Sequence, residues 1–476
     1  MSEFEMEGNV GTGKEFILYI IINISTAFFL YFILGNMKHT IAGTVFIALV
    51  IGTLMFWRFR VAIAFIGIVI LMVTRTIDLK HTIEFMNLDV ILFLIGMMIL
   101  VGLLRRSGFF KWLLAKGLMI SKFQPHILIV MFLILSAFMA AMVDEVTSIL
   151  FTAALVIDFC ECFKIKPVKL IIAIVFATNI GSSWTVLGNP IGILIALRSG
   201  LTFENFIKTS FPIGFIALIA VIILIFIWLR KDLRELKERM YATSFIEKKE
   251  YIEQLEEEKD ASLFTGSVII FLSVLILLIF HHRLELLLKL EPNTLLVGSS
   301  ILGAGIAMLW QRNIARELLM KEVDWWTLVF FMFLFAKAGA LKYVGLTDVI
   351  GKGLYNLAGD GNVIILIILI LWISGIISAA ADNVVVVATL IPVLQYLTAD
   401  TASTGLWWAL LLGGCYGGNM TMVGSTANIV ALGILEDRVG YQMHLKYWIK
   451  IGLWGALIPM VIGTIALVIM TKFFGL

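Results

Sequence analysis

The sequence predicts an all-α protein that crosses a membrane about eleven times. Of its 476 residues, 61% are hydrophobic and 14% are charged, whereas a typical globular chain has about 45–50% apolar and about 25% charged residues. The mean hydropathy is +1.03. This composition excludes a soluble enzyme and a disordered chain, and a net charge of +3 gives no basic surface for nucleic acid.

Uncharged runs recur along the chain. A membrane helix needs about 20 mainly apolar residues, because the hydrocarbon layer is about 30 Å thick. The runs that approach this length are 16–37, 41–57, 61–74, 90–104, 209–229, 262–280, 292–311, 325–336 and 451–471. Acidic rather than basic residues precede the first run, so we expect an uncleaved extra helix within residues 1–40.

Four stretches do not fit a plain span. Residues 126–160 and 362–398 are too long for one helix and carry acids in their middle, so we predict a re-entrant hairpin in each. Residues 169–198 and 405–435 are interrupted by Gly, Asn and Thr, which is typical of broken helices. Because backbone leaves the helix at membrane depth only where protein or water satisfies it, these stretches should surround a site.

The charged segment 230–261 is basic at its start and acidic at its end. Mixed charges predict a solvated helical linker, and basic residues next to an apolar run place it in the cytoplasm. With the N-terminus also inside, the inner loops of the first half carry fifteen Lys and Arg residues, including Arg58 and Arg60, and the outer loops carry five. We therefore expect a plasma-membrane protein with its C-terminus outside.

The two halves, 41–229 and 262–476, carry matching markers in the same order. The first two markers are 55 and 58 residues apart in the two halves, and the next two are 41 and 39 apart. The paired markers are Asp89 with Asp324, Asp144 with Asp382, Thr185 with Thr421, and Gly188 with Gly424. An odd number of spans per half inserts the halves in opposite directions, so we predict two inverted five-helix repeats with a site near the midplane.

Three acids lie between apolar stretches: Asp144, Glu145 and Asp382. Each costs about 2.5–3.5 kcal/mol at membrane depth on insertion scales. One interpretation is a structural cap at a hairpin tip. The matched placement of these acids in both halves, each upstream of an uncharged break, favours an ion site instead.

The breaks supply the other ligands that an ion site needs. Glycines let the backbone turn, and hydroxyl and amide oxygens suit small cations such as Na⁺. Half-helix termini suit either sign of charge, so the substrate stays open. The first break contains Asn179, Gly181, Ser182, Ser183, Thr185, Gly188, Asn189 and Pro190, and the second contains Gly417, Gly418, Asn419, Thr421, Gly424, Ser425, Thr426 and Asn428.

Other polar residues have simpler explanations. Asp89 and Asp324 precede apolar runs and are predicted to cap helix starts. Lys337 is expected to reach the membrane interface by snorkelling. The three cysteines lack redox or zinc spacing and are expected to be small apolar core residues. No cofactor is expected beyond Na⁺ or H⁺ as a coupling ion.

The motifs around the breaks resemble those of the ion transporter superfamily, which groups arsenite pumps, sodium/proton antiporters, the melanosomal P protein and sodium-coupled carboxylate symporters. The resemblance covers the chain from about residue 41 onwards and is closest to the P-protein and arsenite-pump branch. It rests on FMAAMVDEVTSILFT at 138–152, ATNIGSSWTVLGNP at 177–190, DNVVVVATLIPV at 382–393 and GGNMTMVGSTANIV at 417–430.

This resemblance implies an elevator-type fold of eleven helices, a homodimer and, for an arsenite-pump-like member, a separate ATPase subunit. It also implies a substrate site between the hairpin tips and the broken helices. Carried over by position, that site comprises Asp144, Glu145, Thr147, Asn179, Thr185, Asp382, Asn383, Asn419, Thr421 and Asn428.

The chain departs from the family pattern at two places. Family members commonly carry Asp-Asn in the first hairpin and Gly-Asp-Pro-Pro-Asn after the first break. This chain has Asp144-Glu145 and, at 188–192, Gly-Asn-Pro-Ile-Gly. One carboxylate is gained at Glu145 and one is lost at Asn189, so we hypothesise that the acid has changed sides of one site. The change argues against a sodium site like that of the carboxylate symporters.

We therefore expect a secondary-active ion transporter, an antiporter or proton-coupled carrier whose buried acids bind the coupling cation. The alternatives are an arsenite or anion exporter, a sodium-coupled anion symporter, and, in another class, a passive anion channel. The sequence has no HExxH, GxSxG or P-loop motif, so we expect neither an enzyme nor direct ATP drive.

Overall fold

A computed structural model describes residues 13–121, 124–242, 253, 260–359 and 361–476. These residues form helices and connecting turns, with no strand among them. Ten helices in the described ranges are long and apolar enough to cross a membrane: Gly13–Leu34, Met37–Met55, Leu79–Arg106, Pro125–Met142, Ser210–Trp228, Ser262–Leu288, Trp325–Tyr343, Val363–Ala380, Asn383–Thr401 and Leu445–Phe474. The all-α membrane class is confirmed, while inverted repeats and elevator movement stay predictions.

We number the helices along the chain. The first half contains α1 (Gly13–Leu34), α2 (Met37–Met55), α3 (Arg60–Val73), α4 (Leu79–Glu84), α5 (Leu88–Arg106), α6 (Phe109–Ser121), α7 (Pro125–Met142), α8 (Glu145–Cys162), α9 (Val168–Gly181), α10 (Pro190–Ser199), α11 (Phe203–Lys208), α12 (Ser210–Trp228) and α13 (Arg230–Ala242).

The second half contains nine further helices. Short helical turns connect some of the helices in both halves. They are α14 (Ala261–Leu288), α15 (Thr294–Trp310), α16 (Trp325–Tyr343), α17 (Leu346–Leu357), α18 (Val363–Ala380), α19 (Asn383–Thr401), α20 (Gly405–Gly417), α21 (Thr426–Val439) and α22 (Leu445–Phe474). The turns are Trp57–Phe59, Ala315–Glu317, Leu318–Glu322 and Gly418–Met420.

Polar side chains begin the helices around the breaks. Asp144 accepts a hydrogen bond from the third residue of α8, and Asn189 does the same for α10, where Pro190 occupies the first turn. Asp324 caps α16, as predicted. The prediction for Asp89 is wrong, because it lies inside the first turn of α5 and its carboxylate pairs with Arg198 at 2.9 Å.

Each half contains a helical hairpin that is followed in the chain by a broken helix. The first hairpin is α7 and α8 with its tip at 143–144, and the second is α18 and α19 with its tip at 381–382. The chain leaves the helix between α9 and α10 and again between α20 and α21. Each hairpin packs its first arm on the following broken helix.

Glycines permit this packing in both halves. A Cβ on Gly181 would lie 2.1 Å from the carbonyl oxygen of Ala137, and one on Gly417 would lie 2.2 Å from that of Gly375. Both distances are far below contact, so α9 lies against α7, and α20 against α18, with no room for a side chain.

Helices of the two halves also pack on each other away from the breaks. Helix α5 packs on α15, and α3 packs on α16. Gly303 of α15 lies against the side chains of Val274 and Leu100, whereas Gly67 of α3 lies against the side chain of Lys337.

The predicted solvated linker is only partly solvated. Its first part is α13, which buries Leu233, Leu236 and Met240 and pairs Asp232 with Lys169 at 2.6 Å. Most charged residues of α13 are exposed, and its apolar residues lie on one face that packs against the membrane helices. Most of the acidic end of the linker lies outside the described residues.

Candidate ion-binding site at the hairpin tips

Glu145 lies where both hairpins and the first break meet. It is the first residue of α8 and is 1% exposed. The amide Nδ2 of Asn383, from the second hairpin, lies 3.4 Å from each carboxylate oxygen, and Nδ2 of Asn189 lies 3.5 Å from Oε2. No basic side chain of the described ranges pairs with Glu145 within 4.0 Å. We call Glu145, Asn189 and Asn383 the Glu145 cluster.

Asn189 connects this cluster to α20. Its Nδ2 also donates to Ser182 Oγ at 3.0 Å and to Cys415 Sγ at 3.2 Å. Its Oδ1 accepts from the backbone amide of Gly192 at 2.8 Å. The expectation that Cys415 is only a small core residue is incomplete, because its buried sulfur contacts the site.

Three further asparagines form a second group. Asn179 Nδ2 donates to Asn419 Oδ1 at 2.8 Å and to Asn428 Oδ1 at 2.9 Å. Asn428 donates in turn to two carbonyl groups of the second break, and Asn419 donates to the carbonyl of Gly455 in α22. All three side chains are fully buried, so this group ties the first broken helix to the second.

Two buried amide oxygens in these groups have no hydrogen-bond donor. They are Oδ1 of Asn179 and Oδ1 of Asn383. A buried acceptor without a donor costs about 1–3 kcal/mol. Amide oxygens are suitable ligands for hard cations. The described residues contain no group of three His, Cys, Asp or Glu side chains arranged for a metal, so a cation here would bind to mixed carboxylate and amide oxygens.

The aspartates at the two tips differ in their contacts. Asp382 is 4% exposed and its Oδ2 accepts from Thr426 Oγ1 at 2.5 Å, which joins the second hairpin to the start of α21. Asp144 is half-buried and accepts from the backbone amide and hydroxyl of Thr147, at 2.8 and 2.7 Å. Asp144 precedes Glu145 in the chain, and Asp382 precedes Asn383, which contacts Glu145, so the three acids lie close together.

Thr185 and Thr421 hold the breaks against the hairpins. The Thr185 hydroxyl donates to the carbonyl of Ala141, and the Thr421 hydroxyl donates to that of Ala379 at 2.5 Å. Each also accepts from the backbone amide two residues later. These predicted ligands therefore already use their hydroxyls to position the hairpin tips.

Gly188 and Gly424 let each break fold back so that its end lies against the backbone of its beginning. A Cβ on Gly188 would lie 2.1 Å from the Ser182 carbonyl oxygen, and one on Gly424 would lie 2.6 Å from the Gly418 carbonyl oxygen. Only glycine fits at either position, which explains why both breaks carry it at the same place.

Comparison with known proteins identifies the family. The family model described as "Citrate transporter" matches residues 45–413. The chain belongs to this family. An uncharacterized transporter of Mycobacterium tuberculosis is 31% identical over 365 residues, which cover 76% of this chain and 80% of that protein. A 46 kDa membrane protein of Mycobacterium leprae is 31% identical over 73% of this chain and 79% of its own length.

The expected relationship to the P protein is also confirmed. Human P protein is 27% identical over 79% of this chain, and the match spans 52% of the longer P protein. This member of the citrate transporter family is therefore an integral membrane transporter, as the composition and the resemblance predicted.

Two basic side chains that the sequence predicts to lie at the membrane surface are buried in the structure. Arg60, counted among the cytoplasmic loop residues, is 5% exposed, and its Nη2 donates to Thr327 Oγ1 at 2.8 Å. Lys337, expected to snorkel, is 1% exposed, and its Nζ donates to the carbonyl of Ile63 at 3.2 Å. The snorkelling expected for Lys337 is wrong because neighbouring helices cover the side chain, and Arg60 is covered in the same way. The detectable signal for Lys337 was the apolar sequence on both sides of it, the run 325–336 before it and residues 338–341 after it.

Proposed function

We propose that this protein is a secondary-active transporter that couples substrate movement to H⁺ or Na⁺, most simply as an antiporter. The coupling cation binds at the Glu145 cluster. The observation that carries this proposal is a buried carboxylate held only by amide groups, with no basic residue paired to it among the described residues.

The physical reason is charge. An unpaired buried carboxylate is costly, and a bound proton or Na⁺ removes most of that cost. Glu145 therefore has a stable loaded form, and the nearby aspartates add to its attraction for a cation. The oxygen of Asn383, which has no donor among the described residues, would supply a further Na⁺ ligand in the same cluster. Loading of the cation thus changes the charge of the contact between the two hairpins.

A second candidate is a cation-coupled symporter of a small carboxylate such as citrate. The family description favours it. Buried positive charges at Arg60 and Lys337 would offset the charge of such an anion. In either case we propose a plasma-membrane homodimer with inverted repeats and elevator-type movement. Its N-terminus and linker would be inside and its C-terminus outside.

Flux in proteoliposomes tests the proposal. The panel is Na⁺, Li⁺, H⁺, citrate, arsenite and chloride, each with and without a pH gradient. We expect saturable flux of one solute that is coupled to H⁺ or Na⁺ and is lost in Glu145→Gln. The control is Glu161→Gln, an exposed glutamate of the same helix. Unsaturable chloride flux without coupling would identify a channel and contradict the proposal.

A further inference from the structure

Arg60 is held in the protein interior and forms no ion pair with a carboxylate in the part of the chain that the structure describes. Its guanidinium lies 3.9 Å from the centre of the Trp57 ring and 5.1 Å from that of Phe330. One nitrogen donates to the hydroxyl of Thr327, and the buried Nε has no acceptor. No described carboxylate lies within 4.0 Å of it. The neighbouring Arg58, in the turn Trp57–Phe59 before α3, is exposed, so an arginine in this part of the chain need not be buried.

Hydrogen bonds and helix packing connect Arg60 to the second hairpin. The Thr327 hydroxyl, which accepts from Arg60, donates to Asp324 Oδ2 at 2.6 Å. Helix α16, which Asp324 caps, packs on α3 and on α19, and Asp382 caps α19. The charge of Arg60 accordingly acts on Asp382 as well as on Asp324. Helices α3 and α16 thus hold one fixed positive and one negative charge beside the second hairpin.

A fixed charge in this place has a predictable effect on a cation. Arginine stays protonated at all relevant pH values, and charges act over longer distances in the protein interior than in water. Arg60 therefore opposes cation binding at the tips, and Asp324 favours it. A carrier needs this balance, because three acids without an opposing charge would bind the cation and release it slowly.

We propose that Arg60 is a positioning residue that weakens binding of the coupling cation at the hairpin tips and so permits its release. This inference rests on the proposed function and deepens it. It assigns a residue that lowers the affinity for the coupling cation and thereby allows a faster transport cycle. The aromatic rings and Thr327 hold the guanidinium so that its charge stays fixed while the site is loaded and emptied.

The test measures cation binding to the purified protein by thermal unfolding. NaCl is titrated against choline chloride at constant ionic strength, LiCl is used in parallel, and H⁺ is varied in a third series. We expect Arg60→Gln to lower the half-saturating concentration of the effective cation about tenfold, the effect of one charge at intermediate dielectric. Arg60→Lys, which keeps the charge, should return it to within about threefold of the wild type, and Arg58→Gln should leave it unchanged.

Asp324→Asn gives an independent arm, because asparagine also caps a helix. It removes a negative charge and should raise the half-saturating concentration several-fold. A purely structural role would shift both variants in the same direction. In flux assays, Arg60→Gln should lower the KM for the cation together with the maximal rate, because release becomes slower.

The outcomes separate the inference from the function on which it rests. A wild-type response to Na⁺, Li⁺ or H⁺ that Arg60→Gln does not change would overturn the inference and leave the proposed function standing. If Arg60→Gln does not fold, Asp324→Asn decides, and an unchanged or lower half-saturating concentration overturns the inference. A wild type that responds to none of the three cations overturns both.

Discussion

The side-chain amide of Asn189 lies 3.5 Å from Oε2 of Glu145, although the two residues are 44 positions apart in the chain. At these two positions the chain departs from the family pattern in charge, since a carboxylate is gained at Glu145 and one is lost at Asn189. Their contact supports the hypothesis that a single acid has changed sides of one site.

A double substitution tests this relocation. Glu145→Asn removes the buried acid, and Asn189→Asp alone adds a second carboxylate beside Glu145, so each should reduce coupled flux at least tenfold. Together they restore one acid, and aspartate still caps α10 through the amide of Gly192. We expect the double variant to exceed both single variants in cation-coupled flux. A double variant no better than Glu145→Asn contradicts the relocation.

Asp382 should be required for coupling but not for folding. The Oδ1 of asparagine at this position can still accept from the amide of Val384, and its Nδ2 can donate to the hydroxyl of Thr426. We expect Asp382→Asn to abolish coupled proton movement and to change the free energy of unfolding by no more than about 1–3 kcal/mol. Proton flux and thermal unfolding measure the two effects.

The control is Thr426→Val, which removes the hydroxyl that donates to Asp382 but keeps the carboxylate. We expect it to slow transport while preserving coupling, because the charge remains and only its position is less fixed. Unchanged proton flux in Asp382→Asn would remove this residue from the proposed mechanism.

The sequence predicted the two tips because an acid between apolar stretches is tolerated only where the helix is interrupted. Asp144 and Asp382 accordingly lie at breaks between helices. The glycines at 181 and 417 were predictable for the same reason, since matched breaks need matched close approach. These features are local and leave a trace in composition and spacing.

The contacts across the molecule were not predictable in this way. Glu145 meets Asn383 across 238 residues, and no periodicity in either hairpin encodes that pairing. Arg60 and Lys337 were misassigned because counting charges near the ends of runs assumes exposure. Their burial depends on which helices cover them, and that is a property of the tertiary packing alone.

Close packing between α9 and α7 should make Gly181 intolerant of any side chain. A Cβ there would lie 2.1 Å from a backbone carbonyl oxygen, so the helices would have to separate. We expect Gly181→Ala to destabilise the protein by about 2 kcal/mol or more, since overpacking of a tight core typically costs about 1–3 kcal/mol. The thermal unfolding midpoint in detergent measures this effect.

Gly298→Ala in α15 is the matched control, because a Cβ there meets nothing within 4 Å. Alanine is the better helix former, so the control should be neutral or stabilising by up to about 1 kcal/mol. Equal midpoints for the two variants would contradict the packing described for α9 and α7.

Removing the buried charge of Lys337 should stabilise the protein. Its amine donates to the carbonyl of Ile63, and the side chain lies against Gly67 of α3. Replacing buried charged groups by apolar side chains of similar size often stabilises a protein by about 1–4 kcal/mol. We therefore expect Lys337→Met to raise the thermal unfolding midpoint by several degrees.

The control is Lys342→Met, at an exposed lysine of the same helix, which should change the midpoint little. A lower midpoint for Lys337→Met would mean that the amine holds α3 and α16 together more strongly than its burial costs.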